Sequence, residues 1–531
     1  MNKFFYYNSL CAGSNLQSVF SIDPYISAIK ELLLSELKQV VYYIEKLRGL
    51  DFDMSVYTGK VIEFIAVLIV NLDFSKDSTF IIIEDLYDNK KMLEKMYISA
   101  CEKSETEPEL FPETEDNLSS KDIIIKALNA RGIKTSNQAL KAGTPAKYFN
   151  EIMINIVLNT CNKLVELKNL NVNLIEAENS VLKLLNTSNS RSLKDEELKN
   201  IIKDFAQMSC KTAKTLSAAV MEKFGPVSKT QAPVLEKEGK AVLVSGRGFD
   251  ELEKILDAAK GLNIYVYSYR TMISAFQYEK LREHPNFAGH YIRKGNDVQS
   301  DFASFPGPVF VTRNSMPKID VIRGRVFTGT KYPAFGISKI ENNNFEPLIQ
   351  SALDMPGFKA DRFYQNINIG FDKTEIEAGI KDAVELFKNN SIKNIVIIGA
   401  LDSFNVSDRY ISEFFKQKQE SSYIISFTAE KRPSKCLNVN SYLDFGILYE
   451  IIEKLVHEDE NIKEHIHVII DGCSSSTVYH IINLMHLGVK NIFLGACCPN
   501  TVSPLLLEGL EKMFDIKPIT EPGRDWEIIS G

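Results

Sequence analysis

Asn394-Ile395-Val396-Ile397-Ile398-Gly399, Tyr423-Ile424-Ile425-Ser426-Phe427, His467-Val468-Ile469-Ile470-Asp471 and Asn491-Ile492-Phe493-Leu494 are four short runs dominated by β-branched and aromatic residues. Between them, residues 408–417, 447–457 and 478–487 place apolar side chains at helical spacing. Strands that are apolar on both sides of the pleat need cover on both faces, and helices alternating with parallel strands supply it. The tract predicts a parallel-sheet α/β domain over 373–531, opened by a helix at 375–388.

The same grammar extends toward the N-terminus. Residues 241–245, 264–268 and 308–312 read as strands, with a helix at 250–260 stopped by Gly261 and another ending near Leu353. They predict a first α/β domain over 228–372, reached through a polar tract at 228–240. Before it, the chain reads as helix nearly throughout. Ser21-Ile22-Asp23-Pro24 is a start signal, with Asp23 as N-cap and Pro24 at the first helical position. Ile29, Leu32, Leu33, Leu37, Val40, Val41 and Ile44 then form one stripe, and Arg48-Gly49 stops it. Further helical patterns at 59–72, 90–103, 148–167, 174–185 and 196–224 predict a helical bundle domain over 1–227. Leu216-Ser217-Ala218-Ala219-Val220 reads as packing surface rather than a site.

Length and composition agree with a multidomain globular protein. The chain has 531 residues, 44% hydrophobic and 25% charged, and 62 basic against 69 acidic residues leave a net charge of −7. Nothing in that balance favours a surface tracking nucleic-acid phosphates. The opening residues lack the apolar stretch of a secretory signal, and the apolar run 61–72 contains Glu63 and is shorter than the roughly 20 residues a membrane span needs. The expectation is a cytoplasmic protein with neither nucleic-acid nor membrane partners. The eight cysteines, Cys11, Cys101, Cys161, Cys210, Cys436, Cys473, Cys497 and Cys498, include no C-x-x-C pair and read as free thiols in a reducing compartment.

Ligands of parallel sheets sit beyond the carboxyl ends of strands, so the segments leaving those ends hold the candidates. Gly246-Arg247-Gly248 lacks the third glycine of a dinucleotide fingerprint, and no phosphate-loop motif occurs. Asp471-Gly472-Cys473-Ser474-Ser475-Ser476 precedes a helix, where serine hydroxyls and free N–H groups could hold an anion or one serine could simply cap the helix. Ser315 has no histidine in its motif, which argues against a serine hydrolase. His465 and His467, at i and i+2 near a strand start, and His480 and His486, on a helix, read as surface or packing residues and not as a metal set.

At these strand ends the sequence resembles the hybrid cluster proteins, also called prismane proteins or hydroxylamine reductases. The resemblance is carried by Ala241-Val242-Leu243-Val244-Ser245-Gly246, Ile264-Tyr265-Val266-Tyr267, Phe305-Pro306-Gly307-Pro308, Thr312-Arg313-Asn314 and Arg325-Val326-Phe327-Thr328. It continues through Ile398-Gly399 before Asp402, Ser412-Glu413-Phe414, the stretch from Leu487 to Gly495, and Val502-Ser503-Pro504. It implies a helical domain followed by two Rossmann-like α/β domains. It also implies a hybrid 4Fe-2O-2S cluster between the domains and a [4Fe-4S] or [2Fe-2S] cluster on four N-terminal cysteines.

The residues that would bind those clusters are replaced. The resemblance puts the hybrid cluster's histidine ligand at Arg247 and its two glutamates at Thr271 and Ser474. Its cysteines fall at Ser315, Leu401 and Ala429 and near Tyr442, and a neighbouring lysine falls at Ser476. The N-terminal cysteine motif falls on Phe5-Tyr6-Tyr7-Asn8-Ser9 and near Phe20, where only Cys11 lies close by. The expectation is that no metal or cofactor is bound, since iron–sulfur clusters depend on thiolate ligation. Arg247, brought to a buried position, then calls for an acidic partner, Asp402 or Glu430, or for a bound anion. A pocket for a small anion or metabolite is expected at Arg247, Asn314, Ser315, Ser474 and Ser476.

Three functions are consistent with this text: a non-redox small-ligand-binding or regulatory protein; a hydroxylamine or nitric oxide reductase whose cluster uses unidentified ligands, with Cys436, Cys473, Cys497 and Cys498 the nearest thiols; and a structural partner of an authentic family member. A protein partner or homo-oligomer belongs to the same set of expectations.

Overall fold

A computed structural model describes residues 24–71, 76–111, 144–187, 194–292, 298–315, 322–399, 408–417, 420–427, 436–439, 445–473, 475–497 and 504–531. Six helices come first: α1 (Pro24–Arg48), α2 (Ser55–Asn71), α3 (Lys76–Lys103), α4 (Pro145–Asn169), α5 (Ile175–Thr187) and α6 (Asp195–Phe224). α1 starts at Pro24, whose fixed φ suits the first helical position, and ends before Gly49. The Asp23 cap lies outside the described residues. Leu33, Leu37, Val40, Val41, Ile44 and Leu47 are buried along one face of α1, which packs on α3. α3 begins well before the residue 90 read from sequence, because its first turns carry charges that mask the periodicity.

Two sheets follow. The first contains β1 (Thr230–Glu236), β2 (Lys240–Ser245), β3 (Ile264–Tyr269), β4 (Phe287–Tyr291), β5 (Val309–Val311), β6 (Val326–Thr328), β7 (Ser338–Lys339) and β8 (Arg362–Ile369), in the spatial order β7-β6-β5-β2-β3-β4-β1-β8. Its helices are α7 (Phe249–Ala259), α8 (Glu279–Arg282), α9 (Val298–Ser304) and α10 (Glu346–Asp354), with a 3-10 helix at Arg270–Gln277. The second sheet contains β9 (Asn394–Ile398), β10 (Ser422–Ser426), β11 (Cys436–Asn438), β12 (Ile466–Cys473), β13 (Asn491–Cys497) and β14 (Lys517–Pro518), in the order β11-β10-β9-β12-β13-β14. Its helices are α11 (Lys373–Lys388), α12 (Asp408–Phe415), α13 (Phe445–Glu458), α14 (Ser475–His486), α15 (Pro504–Phe514) and α16 (Pro522–Ser530).

Alternate residues of the central strands enter different cores, which is why those strands read as continuous apolar runs. Val242 and Val244 of β2 join the large core shared with the helices, whereas Ala241 and Leu243 join a separate core with Tyr267, Phe302 and Phe305. In β9, Ile395 and Ile397 face one way and Val396 and Ile398 the other.

Two expectations are corrected. The tract 228–240, read only as a polar stretch, contains β1, whose Pro233 cannot donate to a ladder and whose half-exposed pattern hides the strand. The first sheet is not wholly parallel either: β8 runs antiparallel to β1 from Thr230–Ile369 to Glu236–Arg362. β8 is almost entirely exposed, so it lacks the apolar signature by which a buried strand is read.

α4 ties the parts together. It packs on α2, α5 and α6 of the bundle and also on α14 and α15, which cover the second sheet. A Cβ added to Gly509 of α15 would come within 2.9 Å of Tyr148 Cβ on α4, so glycine lets these two helices approach. α6 packs in turn on α13 and α14.

Candidate functional site

In the first sheet the chain winds from β2 outward through β3 and β4 on one side and through β5, β6 and β7 on the other. The loops leaving β2 and β5 therefore diverge, and a crevice opens between them at the carboxyl edge. Gly246, at φ +121°, turns the first loop, and a Cβ there would lie 1.8 Å from Thr312 Oγ1. The close approach lets the Arg247 N–H donate to Thr312 Oγ1 at 3.0 Å and to Asn314 Oδ1 at 3.2 Å. Thr312 Oγ1 donates to Asn314 Oδ1 at 2.6 Å, and Thr271 Oγ1 donates to the Gly246 carbonyl at 3.1 Å. Ser315 belongs to the same turn, its N–H donating to the Thr312 carbonyl at 3.0 Å.

Arg247, Thr271, Asn314 and Ser315 are thus brought together in one set of loops. Leu401, Ala429, Tyr442 and Ser474 lie outside the described residues, as do Asp402 and Glu430, the expected partners of Arg247. Ser476 is described: it is buried in the first turn of α14, which begins at Ser475, earlier than the sequence pattern indicated. It does not line the cavity described next.

That cavity, of about 120 Å³, lies where α4 and α6 meet these loops. Lys163 and Glu166 of α4 line it with Arg247 and Asn314, and Leu216, Val220 and Phe224 of α6 form an apolar wall continued by Phe249. Gly446, at the start of α13, closes it from the second α/β unit. The segment Leu216–Val220, read from sequence as packing surface, does pack on the large core, and its Leu216, Ser217 and Val220 also line the cavity. Behind the cavity, His480 is buried with its Nδ1 2.6 Å from the Tyr449 hydroxyl. Burial keeps its imidazole neutral, and the charges of Lys163 and Arg247 add to the effect.

Beside the cavity sits an ionic cluster that the sequence reading did not assemble. Arg313 makes a two-pronged contact with Asp250, at 3.0 and 2.7 Å, and its backbone N–H donates to Glu251 Oε2 at 3.0 Å. Asn314 Nδ2 donates to Glu166 Oε1 at 2.7 Å. One guanidinium thus faces three carboxyl groups. Burial alone would raise Asp250, but the Arg313 hydrogen bonds and charge outweigh it and hold Asp250 low. For the other two, burial wins: Glu251 is pushed up to about 7 and Glu166 to about 8, with Arg313 pulling the other way. Glu166 keeps some accessible surface because it faces cavity space, yet protein surrounds it.

Sequence could have flagged α4. Asn155, Asn159, Asn162 and Glu166 recur at spacings of four, three and four, a polar stripe along one side of the helix. Asp250 and Glu251 gave no such signal, because acids in a helix's first turn are ordinary.

The donor chemistry at the described positions does not fit an iron–sulfur cluster. Arg247 is a cation without a lone pair to give, and Thr271 and Ser315 are neutral hydroxyls. Among the described residues, Cys101, Cys161 and Cys210 are buried in the helical part and Cys436 is partly buried on β11; none lines the cavity. No group of three His, Cys, Asp or Glu side chains among the described residues could hold a metal ion. The histidine pair at i and i+2 does not form: His465 ends a 3-10 helix with its ring against Phe387, and His467 Nε2 pairs with Asn394 Oδ1 at 3.2 Å. No helix among the described residues is long and apolar enough to cross a membrane.

Comparison with known proteins agrees with the resemblance read from the strand ends. The family model described as Prismane/CO dehydrogenase family matches residues 29–429. Similar curated proteins include the hydroxylamine reductase of Methanocella arvoryzae, 26% identical over 61% of this chain and 63% of its own length. The hydroxylamine reductase of Thermodesulfovibrio yellowstonii is 27% identical over 62% of this chain and 64% of its own. The chain therefore spans just under two thirds of the length of these relatives. Among solved structures, the α subunit of an acetyl-CoA synthase/carbon monoxide dehydrogenase is similar with a TM-score of 0.47 and 10% identity, over 93% of this chain and 81% of that one.

Proposed function

Because the chain belongs to the Prismane/CO dehydrogenase family, we propose that it is a member whose cluster site has been rebuilt as a binding pocket, and that it acts as a non-redox small-ligand-binding or regulatory protein. The observation that supports this is Arg247. A guanidinium stands where the resemblance places an iron-binding imidazole, and it lines a cavity that also has apolar lining residues. A cation together with Leu216, Val220 and Phe224 on one lining suits an organic anion with an apolar body, such as a small carboxylate. Lys163 adds a second cation on the same lining.

Two measurements test the reading. Protein purified without oxygen is assayed for iron and visible absorbance; less than one iron per chain is expected, and several irons per chain would overturn it in favour of the hydroxylamine reductase activity that its relatives are named for. Thermal midpoints are then followed with hexanoate and benzoate, which should raise the midpoint of the wild type and leave Arg247→Met unmoved. No shift with either carboxylate would leave the structural-partner reading in its place.

A further inference from the structure

β8 ends the first sheet: it pairs with β1 along one side, and no described strand pairs with its other side. A bulge interrupts its ladder with β1 at Tyr364, whose hydroxyl donates to Glu236 at 2.9 Å. From Gln365 to Ile369 the ladder is regular. That stretch, Gln365-Asn366-Ile367-Asn368-Ile369, carries no proline and no charge, the residues by which exposed edges are commonly kept from meeting other strands. Gln365, Asn366 and Asn368 are exposed, and Ile367 is half-buried against the large core.

The stretch is complementary to itself. Two antiparallel copies related by a two-fold axis normal to the sheet keep each face on its own side, so opposed residues share a face and the pairing centres on one residue. Centred on Ile367, the pairing uses the whole regular stretch and sets Ile367 against Ile367, Asn366 against Asn368 and Gln365 against Ile369. Asn368 Oδ1 already accepts from Gln231 Nε2 of β1 at 3.1 Å, an amide pair directly across the existing ladder. Asn366 of a second copy would extend that pair into a row of amides across the seam. The charges bracketing the strand agree with the reversal. Asp361-Arg362 stands at its start and Asp372-Lys373 follows its end, so antiparallel pairing sets acid against base by count at both ends.

We propose that β8 is the seam of a homodimer in which the first sheets of two copies join edge to edge, antiparallel and centred on Ile367. A single strand seam is smaller than the roughly 1,600 Å² of a standard stable interface, so the dimer forms at micromolar concentration. The seam shares no residue with the Arg247 cavity, and the proposal does not depend on that pocket.

Sedimentation velocity of the full chain from about 5 to about 300 μM tests it, with a rise from monomer to dimer expected across that range. Asn366→Lys combined with Asn368→Lys opposes like charges twice across the seam and should hold the chain monomeric. Asn366→Lys combined with Asn368→Glu opposes unlike charges twice and should dimerise at least as well as the wild type. Both positions are exposed, so both variants should fold. Ile367→Cys should give a disulfide-linked dimer on oxidation, because directly opposed Cα atoms lie about 4.5–5.5 Å apart, within disulfide reach. Asn366→Cys, diagonal to its counterpart at about 7–8 Å, should not; oxidised wild type sets the background from the native cysteines. A chain monomeric throughout would leave the edge to a strand of another protein and overturn the proposal. Equal association of the two lysine variants, or crosslinking of Asn366→Cys as readily as Ile367→Cys, would overturn it as well.

Discussion

Asn314 Nδ2 donates to Glu166 Oε1 at 2.7 Å across 148 residues of sequence, joining the loop after β5 to the central helix α4. The Asn314 oxygen simultaneously accepts from Thr312 Oγ1 and the Arg247 N–H, so the amide is fixed in one orientation, with its NH₂ toward Glu166. Asn314→Ala should destabilise by about 1–3 kcal/mol in urea denaturation, the cost of stranding buried partners. Asn314→Asp should cost more, because it turns the donor into a fourth carboxyl group, and Glu166→Gln in the same chain should recover most of the loss. Additive losses in that double-mutant cycle would refute the coupling.

Stability should depend on pH with opposite signs on the two limbs. Glu166 and Glu251 hold their protons to about pH 8 and 7 in the fold, against about 4.3 in the unfolded chain. Their contribution is complete below the unfolded value and is lost as pH rises through 7 and 8. His290 and His467 are lowered by burial to about 3 and 4, so their contribution is lost as pH falls below about 6.5. The thermal midpoint should fall from about pH 6.5 to about 8, and Glu166→Gln should flatten that decline while leaving the acid limb intact.

Arg313 is the nearest counter-charge of the described carboxyl cluster, with Lys254 3.5 Å from Asp250 as a second, and Lys cannot reproduce its fork. Arg313→Lys should lose about 1–2 kcal/mol by replacing a two-pronged contact with a point charge. Arg313→Met should lose about 3–5 kcal/mol by leaving Asp250 buried with only Lys254 beside it, and Asp250→Leu added to it should restore much of that. Chemical denaturation of the three variants reads each step.

Two glycines shape the floor of the crevice. A Cβ on Gly329 would lie 1.8 Å from Glu251 Oε1, and one on Gly246 would meet Thr312 Oγ1 at the same distance in a backbone conformation that disfavours side chains. Gly246→Ala should therefore destabilise by more than about 2 kcal/mol. Gly329→Ala forces the Glu251 carboxylate off the Arg313 N–H, so Glu251→Ala in the same background should relieve part of its cost. Both are read as shifts of the urea midpoint at constant slope.

What the sequence determined by itself was local periodicity and its punctuation. The runs at 394–399 and 491–494, the stripe of α1 and the stop at Gly49 follow from side-chain spacing and backbone preference, and they imply helices followed by layered sheets. The loop residues Arg247 and Asn314 were legible as candidates as well, because parallel sheets bind ligands at their carboxyl ends, whereas Ser315, singled out with them, does not line the cavity. Strands β1 and β8 escaped because a proline and an exposed face erase the pattern of a buried strand. Glu166 and Arg313 escaped for a different reason. Their partners lie on α4, on α7 and after β5, far apart in sequence, and only packing brings three carboxyl groups around one guanidinium and sets which of them keeps its proton. Spacing specifies what is local, whereas burial and long-range charge exist only once the chain has folded.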